Sequence, residues 1–346
     1  MTQALPGAYR ASPPASGRDE GLFTSPACGR GGSRSETVRA FAALAFYDLA
    51  EVTSCALVNI SENETYRVDT LNGKSFALRI HREGYHTHMA IASELAWLID
   101  LRASGVVTTP RPVAGRDGEF IQVVQSRHVV LFDWECGREP GIGEDLAALG
   151  EAAARMHLHV MQWQRPHWFT RHSWNFETAL GDVSPHWGRW RDGLGVTPEM
   201  VRVFQRTVDV ISHRLSVYGQ SSDRFGLVHG DLRLANLLVD GLNVKVIDFD
   251  DCGFSWFMYD AATPVSFYEH EPQVPELIES WKTGYVRVRE LSREDEAEIP
   301  TFVMLRRLLL VAWIGTRRDT DLARLMGVAY SEGTVGLCEG YLGRMG

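Results

Sequence analysis

The chain has 346 residues, 45% of them hydrophobic and 23% charged, enough for a large core shared between two lobes. Its 35 Lys and Arg against 44 Asp and Glu leave a formal charge of −9, which excludes a general nucleic-acid binder needing a basic face. Five scattered cysteines with no CxxC pair exclude a disulfide framework or a zinc ribbon and point to a reducing compartment. The longest apolar run, Phe302 to Ile314, is broken by Arg306 and Arg307 and is too short to span a bilayer. With no secretory h-region at the N-terminus, a cytoplasmic protein without a membrane partner is expected.

Residues 1–34 are rich in Pro, Gly, Ser and Arg without apolar periodicity, and a disordered leader is expected there. From Ser35 to Leu49 the spacing of Val38, Phe41, Ala42, Ala45 and Leu49 predicts a helix. Strand-like stretches follow at Thr65–Asp69 and Ser75–Ile80, joined across Asn72-Gly73, two residues that tolerate the positive φ of a tight hairpin. Ile91, Leu95 and Leu98 predict a helix ending before Gly105. Beyond Pro110 and Pro112, a second hairpin signal at Asp117-Gly118 precedes Phe120–Val124 and a further strand, Val129–Trp134. These elements make a small mixed lobe over 35–131, and 132–137 is the expected hinge. From 138 to 346 the pattern is mostly helical: Leu146–Val160, Pro198–Tyr218, Val274–Val288, Pro300–Ile314 and Glu332–Leu342. Only Leu227–Asp260 interrupts it with short strands and loops. An α+β fold of two lobes is the expectation.

That interruption carries the chemistry. Val228-His229-Gly230-Asp231-Leu232-Arg233-Leu234-Ala235-Asn236 is followed by Val244-Lys245-Val246-Ile247-Asp248-Phe249-Asp250. Phosphoryl transfer from ATP needs one carboxylate to orient or deprotonate a hydroxyl and hard oxygen ligands to hold Mg²⁺ on the phosphates. Asp231, Asn236 and Asp248 supply those groups, in the order and spacing of a kinase H-x-D-L-x-x-x-N and D-F-x pair. The competing structural account makes Asp231 a helix cap, Asn236 a loop residue and Asp248 the end of an ordinary strand.

The segments HGDLRLANLLVD and VIDFDD, with Tyr259-Asp260, resemble the aminoglycoside phosphotransferase family. Choline, fructosamine and type II homoserine kinases and a bacterial stress-response kinase belong to it. The likeness extends upstream through SENETYRV, FALRIHR and SELAWL and covers most of the chain from about residue 36. It implies a protein-kinase-like fold, ATP as phosphate donor, Asp231 as the base, and Asn236 and Asp248 on Mg²⁺. It further implies a third-strand cation, here Arg79 in place of the usual lysine, held by Glu94 and directed at the nucleotide phosphates. Ser61 and Asn63 occupy the expected phosphate-covering loop, which lacks the glycines of protein kinases; they either contact phosphate or form an ordinary polar turn. Arg233 is a candidate to stabilise the transferring phosphate or to pair with a neighbouring acid. Asp250 is a further metal candidate by proximity, and Asp260 supports the catalytic loop.

Half of the ten tryptophans (Trp163, Trp168, Trp174, Trp187 and Trp190) fall between residues 163 and 190. Their region overhangs the acceptor side, where they either pack the lobe or meet a cationic amine. A zinc site from His157 and His159 has poor spacing and no thiolate. The expected acceptor is the hydroxyl of a small, amine-bearing molecule. A protein substrate, as for a stress-response Ser/Thr kinase, and an inactive nucleotide-binding scaffold are the alternatives.

Overall fold

A computed structural model of the chain describes residues 34–61, 63–141, 146–241 and 243–346. The expected leader lies outside them except for Arg34, which opens helix α1 (Arg34–Leu44). The strands of the first part are β1 (Val52–Ile60), β2 (Asn63–Thr70), β3 (Ser75–His81), β4 (Pro112–Val113), β5 (Ile121–Val124) and β6 (Arg127–Asp133). They form one antiparallel sheet in the order β1-β2-β3-β6-β4, with β5 also on β6. Helix α2 (His88–Ala103) follows β3.

Side-chain alternation gives this sheet two covered faces. Tyr66, Val68, Phe76, Leu78, Ile80, Val129 and Leu131 pack with Ala40, Ala43 and Leu44 of α1. Val130 and Phe132 belong instead to the core that contains Ile91, Leu95 and Leu98 of α2. Arg79 alternates with Leu78 and Ile80, so its side chain falls on the α2 side.

The Asn72-Gly73 turn joins β2 to β3 as expected, with Gly73 at φ +78°. Asp117-Gly118 makes a turn, but it is not the one that pairs β5 with β6. That hairpin closes on Gln125-Ser126, at φ 50° and 65°, a left-handed pair with no glycine or asparagine to announce it. Strand β1 was not anticipated either. Register shifts near Ser54 and Asn59 disrupt its alternation, and as an edge strand it stays largely exposed.

The larger part holds α3 (Ala147–Gln162), α4 (Phe176–Leu180), α5 (Pro198–Tyr218), α6 (Tyr259–Ala262), α7 (Val274–Tyr285), α8 (Arg293–Thr316) and α9 (Asp321–Met345). Two small two-stranded antiparallel sheets lie among them, β7 (Phe225–Val228) with β10 (Gly253–Trp256) and β8 (Leu237–Asp240) with β9 (Asn243–Val246). Pro198 opens α5 as the sequence predicts, and Thr197 caps it, its hydroxyl accepting from Met200 N–H. Helices α3 and α7 touch backbone to backbone: a Cβ on Gly150 would stand 1.9 Å from the Trp281 carbonyl, so only glycine fits.

Helix α8 begins well before the expected Pro300, at a Ser292–Asp295 capping box, and carries that proline in its interior. By length and composition it resembles a membrane span, yet 78% of its apolar window is buried inside the protein as the central core helix. Between the two parts, Phe132 and Asp133 of the expected hinge end β6, and Lys245 Nζ donates to the Cys136 carbonyl at 2.8 Å.

Candidate active site

Strand β7 delivers His229-Gly230-Asp231 into the cleft, and buried groups fix this turn from behind. The Asp260 carboxylate accepts from the backbone N–H of His229 (3.1 Å) and of Gly230 (2.9 Å). His157 Nε2 lies 3.1 Å from the same carboxylate, and its Nδ1 lies 3.0 Å from the Tyr285 hydroxyl. Gly230 sits at φ +81°, and a Cβ there would meet the Asp251 carbonyl at 2.7 Å. His229 bridges the two motifs: Nε2 donates to the Ile247 carbonyl (3.1 Å) while Nδ1 accepts from Asp231 N–H (3.3 Å). Burial keeps His157 and His229 below the ordinary histidine range, so both are neutral at pH 7.

The Asp231 carboxylate is buried, only 6% exposed, and surrounded by donors. Arg233 Nε spans both its oxygens at 2.9 and 3.0 Å, and Asn236 Nδ2 donates to Oδ2 at 2.8 Å. Arg306, reaching in from α8, donates to Oδ1. Burial works to raise the pKa of this acid, but Arg233 and Arg306 overcome it and hold the carboxyl below the usual aspartate range.

On the opposite wall, Asp248 takes a left-handed conformation (φ 62°, ψ 65°) that aspartate tolerates better than most residues. Its side chain opens in part to the cleft and is otherwise packed among other carboxylates and Arg79, which strips much of its hydration. Arg79 donates to Glu94 at 2.6 Å and to Asp248 at 3.0 Å, with its guanidinium over the Phe132 ring. The third-strand cation and its glutamate are therefore paired as expected, and the second arm of the arginine reaches a candidate metal ligand, which a lysine ammonium holding Glu94 would not do. Burial pushes the Asp248 carboxyl up to about 6; Arg79 opposes this, and the carboxylates of Asp250, Asp231 and Glu94 add to it.

Asn63 and Asp250, expected at the nucleotide and the metal, are bonded to each other, the Asn63 amide donating to the Asp250 carboxylate at 2.8 Å. The Asn63 side-chain Oδ1 also accepts from Arg82 N–H at 3.1 Å, while Asp250 is nearly buried beside His81 and His86. The pair acts as a latch between β2 and the Asp248 turn. Ser61 lines the cleft, and its backbone carbonyl accepts from the Arg82 guanidinium at 3.3 Å.

Six of the nine candidate residues (Ser61, Asn63, Asp231, Arg233, Asp248 and Asp250) line one cavity of about 50 Å³. The other three, Arg79, Glu94 and Asn236, are hydrogen-bonded to it through Asp248 or Asp231. The rest of the lining is Asp251, Trp187, Phe267, Arg306, Leu310, Trp313 and Leu322. Of these, Arg306 and the wall from α8 and the Ser266–Tyr268 turn escaped sequence reasoning. One signal was there: two arginines inside an apolar helix demand internal partners.

The tryptophan cluster divides. Trp174 and Trp190 pack the core, Trp168 is exposed, and Trp187 faces the cavity with Arg306 over its ring at 5.1 Å. Trp187 Nε1 donates to the Tyr85 hydroxyl (3.1 Å), which donates to Asp251 (2.9 Å). His157 and His159 face different carboxylates, Asp260 and Asp100, and no metal-binding group of three or more His, Cys, Asp or Glu occurs among the described residues.

A buried, loop-held aspartate beside an asparagine and a second aspartate, facing a strand cation paired with a helix glutamate, defines a kinase-type phosphotransferase site. The chain belongs to the phosphotransferase enzyme family, whose model matches residues 57–293. Its particular likeness is to a solved microcompartment-associated aminopropanol kinase: 43% identity, a TM-score of 0.84, and coverage of 90% of this chain and 98% of that one. Among curated proteins it is 25% identical over 272 residues to the amicoumacin kinase of Bacillus subtilis (strain 168), covering 72% of this chain and 77% of that protein. A homoserine kinase of Bradyrhizobium diazoefficiens is 26% identical over 269 residues, covering 74% and 77%. A choline kinase from Streptococcus pneumoniae shares the fold, with a TM-score of 0.61 at 13% identity over 89% of this chain and all of that one.

Proposed function

We propose that this enzyme transfers the γ-phosphoryl group of ATP to the hydroxyl of a small amino alcohol. The cavity beside Asp231 carries this reading. At about 50 Å³ it has room for a few heavy atoms, and it offers aromatic walls with the Asp251 carboxylate among its lining residues. Trp187 and Trp313 supply apolar contact, and Asp251, braced by Tyr85, supplies a counter-charge for an ammonium group. The aminopropanol kinase to which the chain is similar is named for an acceptor of this size and charge.

Asp231 receives the acceptor hydroxyl and takes its proton as the new O–P bond forms and the bond to the departing ADP breaks. Because Arg233 and Arg306 hold it as a carboxylate, orientation outweighs raw basicity, in keeping with a loose transition state. Arg233, with its side chain 24% exposed, is the donor able to turn from Asp231 toward the transferring phosphate. Asp248 and Asn236 are the residues that would hold Mg²⁺. Their fit rests on the crowding of Asp248 by Asp250, Asp231 and Glu94, an excess of negative charge that a divalent cation relieves. The sparse protein ligand set also suits Mg²⁺, which keeps phosphate and water oxygens in its shell. When bound, Mg²⁺ neutralises charge on the β- and γ-phosphates. A cytoplasmic setting, where ATP and Mg²⁺ are at hand, completes the proposal.

The test is Mg²⁺-dependent transfer from ATP to 1-amino-2-propanol, ethanolamine, homoserine, an aminoglycoside and a generic protein substrate. Turnover of the small amino alcohols, lost in Asp231→Asn, is the expected result. Turnover of the aminoglycoside or the protein with the amino alcohols silent would overturn it.

A further inference from the structure

Phe267 lies in the turn after α6, and its buried ring lines the cavity beside Asp231. Its backbone sits at φ +73°. A bulky aromatic residue has no intrinsic reason to adopt a left-handed conformation, so the surrounding structure must impose it. Two consecutive arginines of α8 do so from either side. Arg306 donates through Nε to the Ser266 hydroxyl at 3.2 Å, just before Phe267. Arg307 donates to Glu269 at 2.7 Å, just after it, and to the Tyr330 carbonyl at 2.8 Å. The Tyr330 hydroxyl also donates to Glu269 at 3.1 Å. Both guanidiniums are buried, so each bond is costly to leave unmade.

The strain has a directional consequence. It turns the Phe267 ring toward the active site, 6.2 Å from Trp313 and 5.8 Å from Tyr330 between centroids, with the Arg233 guanidinium over it at 5.8 Å. The ring thus stands at the foot of the acceptor cavity, next to the arginine that covers Asp231. We infer that Phe267 sets the size of the acceptor: its ring, clamped in place by Arg306 and Arg307, occupies the space that a larger substituent on the amino alcohol would need. This deepens the amino-alcohol proposal and rests on it. Arg306 and Arg307 act as positioning residues for the turn.

The experiment compares 1-amino-2-propanol with its phenyl-bearing analogue 1-amino-3-phenyl-2-propanol in the wild type, Phe267→Gly and Phe267→Ala. Glycine suits the left-handed backbone and removes the ring; alanine removes the ring and keeps the strain. Both acceptors are measured in the same preparation, so the ratio of their kcat/KM values is independent of how much enzyme is folded. In both variants that ratio is expected to move toward the phenyl-bearing acceptor by about tenfold or more, the discrimination a pocket exerts through a missing or added apolar group. Wild-type turnover with an unchanged ratio in both variants would overturn the inference alone. A wild type silent on every amino alcohol would overturn the proposed function, and this inference with it.

Discussion

On the wall of the cleft nearest β3, three carboxylates (Glu94, Asp248 and Asp250) share the single guanidinium of Arg79. Across the cleft the proportion is reversed, and two guanidiniums, Arg233 and Arg306, meet the single carboxylate of Asp231. The acids respond in opposite directions: Asp248 is pushed up to about 6, whereas Asp231 is held below its ordinary value. On the first wall Asp248 keeps an unmet excess of negative charge, which is why we propose it as a Mg²⁺ ligand, while Asp250, against its burial, is held well below its ordinary value by His86, Arg79 and His81. The second is complete without ligand and holds its carboxylate ionised and oriented before any substrate enters. Binding and preorganisation are thus separated by a few side chains within one site.

The strongest way to break this contrast is at Asp231. Asp231→Asn removes the proton acceptor and is expected to lower kcat by about 10²–10⁴-fold, measured by steady-state phosphate transfer. Nucleotide affinity by calorimetry should stay nearly intact, because the nucleotide-facing Arg79–Glu94 pair is untouched.

Removing a cation from the charge-complete wall comes next. Arg306→Met leaves a buried carboxylate and the Ser266 and Tyr259 hydroxyls without their shared donor. It should destabilise the protein by about 3–5 kcal/mol in denaturant unfolding, the scale for breaking a buried pair. Unchanged stability would show that Arg233 and Asn236 alone satisfy Asp231.

A smaller effect is expected on the wall that awaits its cation. Arg79→Lys keeps the bond to Glu94 and loses the arm to Asp248. With a charge-assisted bond at roughly 1.5 kcal/mol, the KM for ATP in the presence of Mg²⁺ should rise about tenfold. No change would mean that the bond to Asp248 is given up once nucleotide binds.

The finest measurement is a carboxyl NMR titration of the nucleotide-free protein. Asp248 should take up a proton near pH 6, while Asp231 stays ionised to below the usual aspartate range. The signs for stability follow. Asp248 binds its proton more tightly folded than unfolded, so its deprotonation costs stability as pH rises through about 6. Asp231 binds its proton less tightly folded, so its contribution is present near neutrality and is lost on acidification. Added Mg²⁺ with nucleotide should pull the Asp248 titration downward and leave Asp231 little changed.

The two walls also differed in how far they could be read from the chain. Asp231, Asn236 and Asp248 declared themselves because a catalytic loop and the turn that follows its partner strand are short, and their spacing is set by backbone geometry. Arg79 and Glu94 followed from strand and helix order. Asn63 and Asp250 line the expected cavity, but their bond to each other was not legible, since nothing local shows that an amide and a carboxylate 187 positions apart will meet. Arg306 and Phe267 were invisible as site residues. One lies 75 positions from Asp231 on a core helix, and the other owes its conformation to arginines far along the chain.

By itself, the sequence determined the α+β class, most helices, the β2–β3 hairpin and the order and spacing of the Asp231, Asn236 and Asp248 motif. Each of these depends on periodicity, turn chemistry or spacing within a few tens of residues. Tertiary structure alone decided the β5–β6 turn at Gln125-Ser126, the charge balance of each wall and the shape of the cavity beside Asp231. Those properties arise where side chains from distant elements are buried together, and a buried charge or a strained backbone persists only because every neighbour around it is already in place.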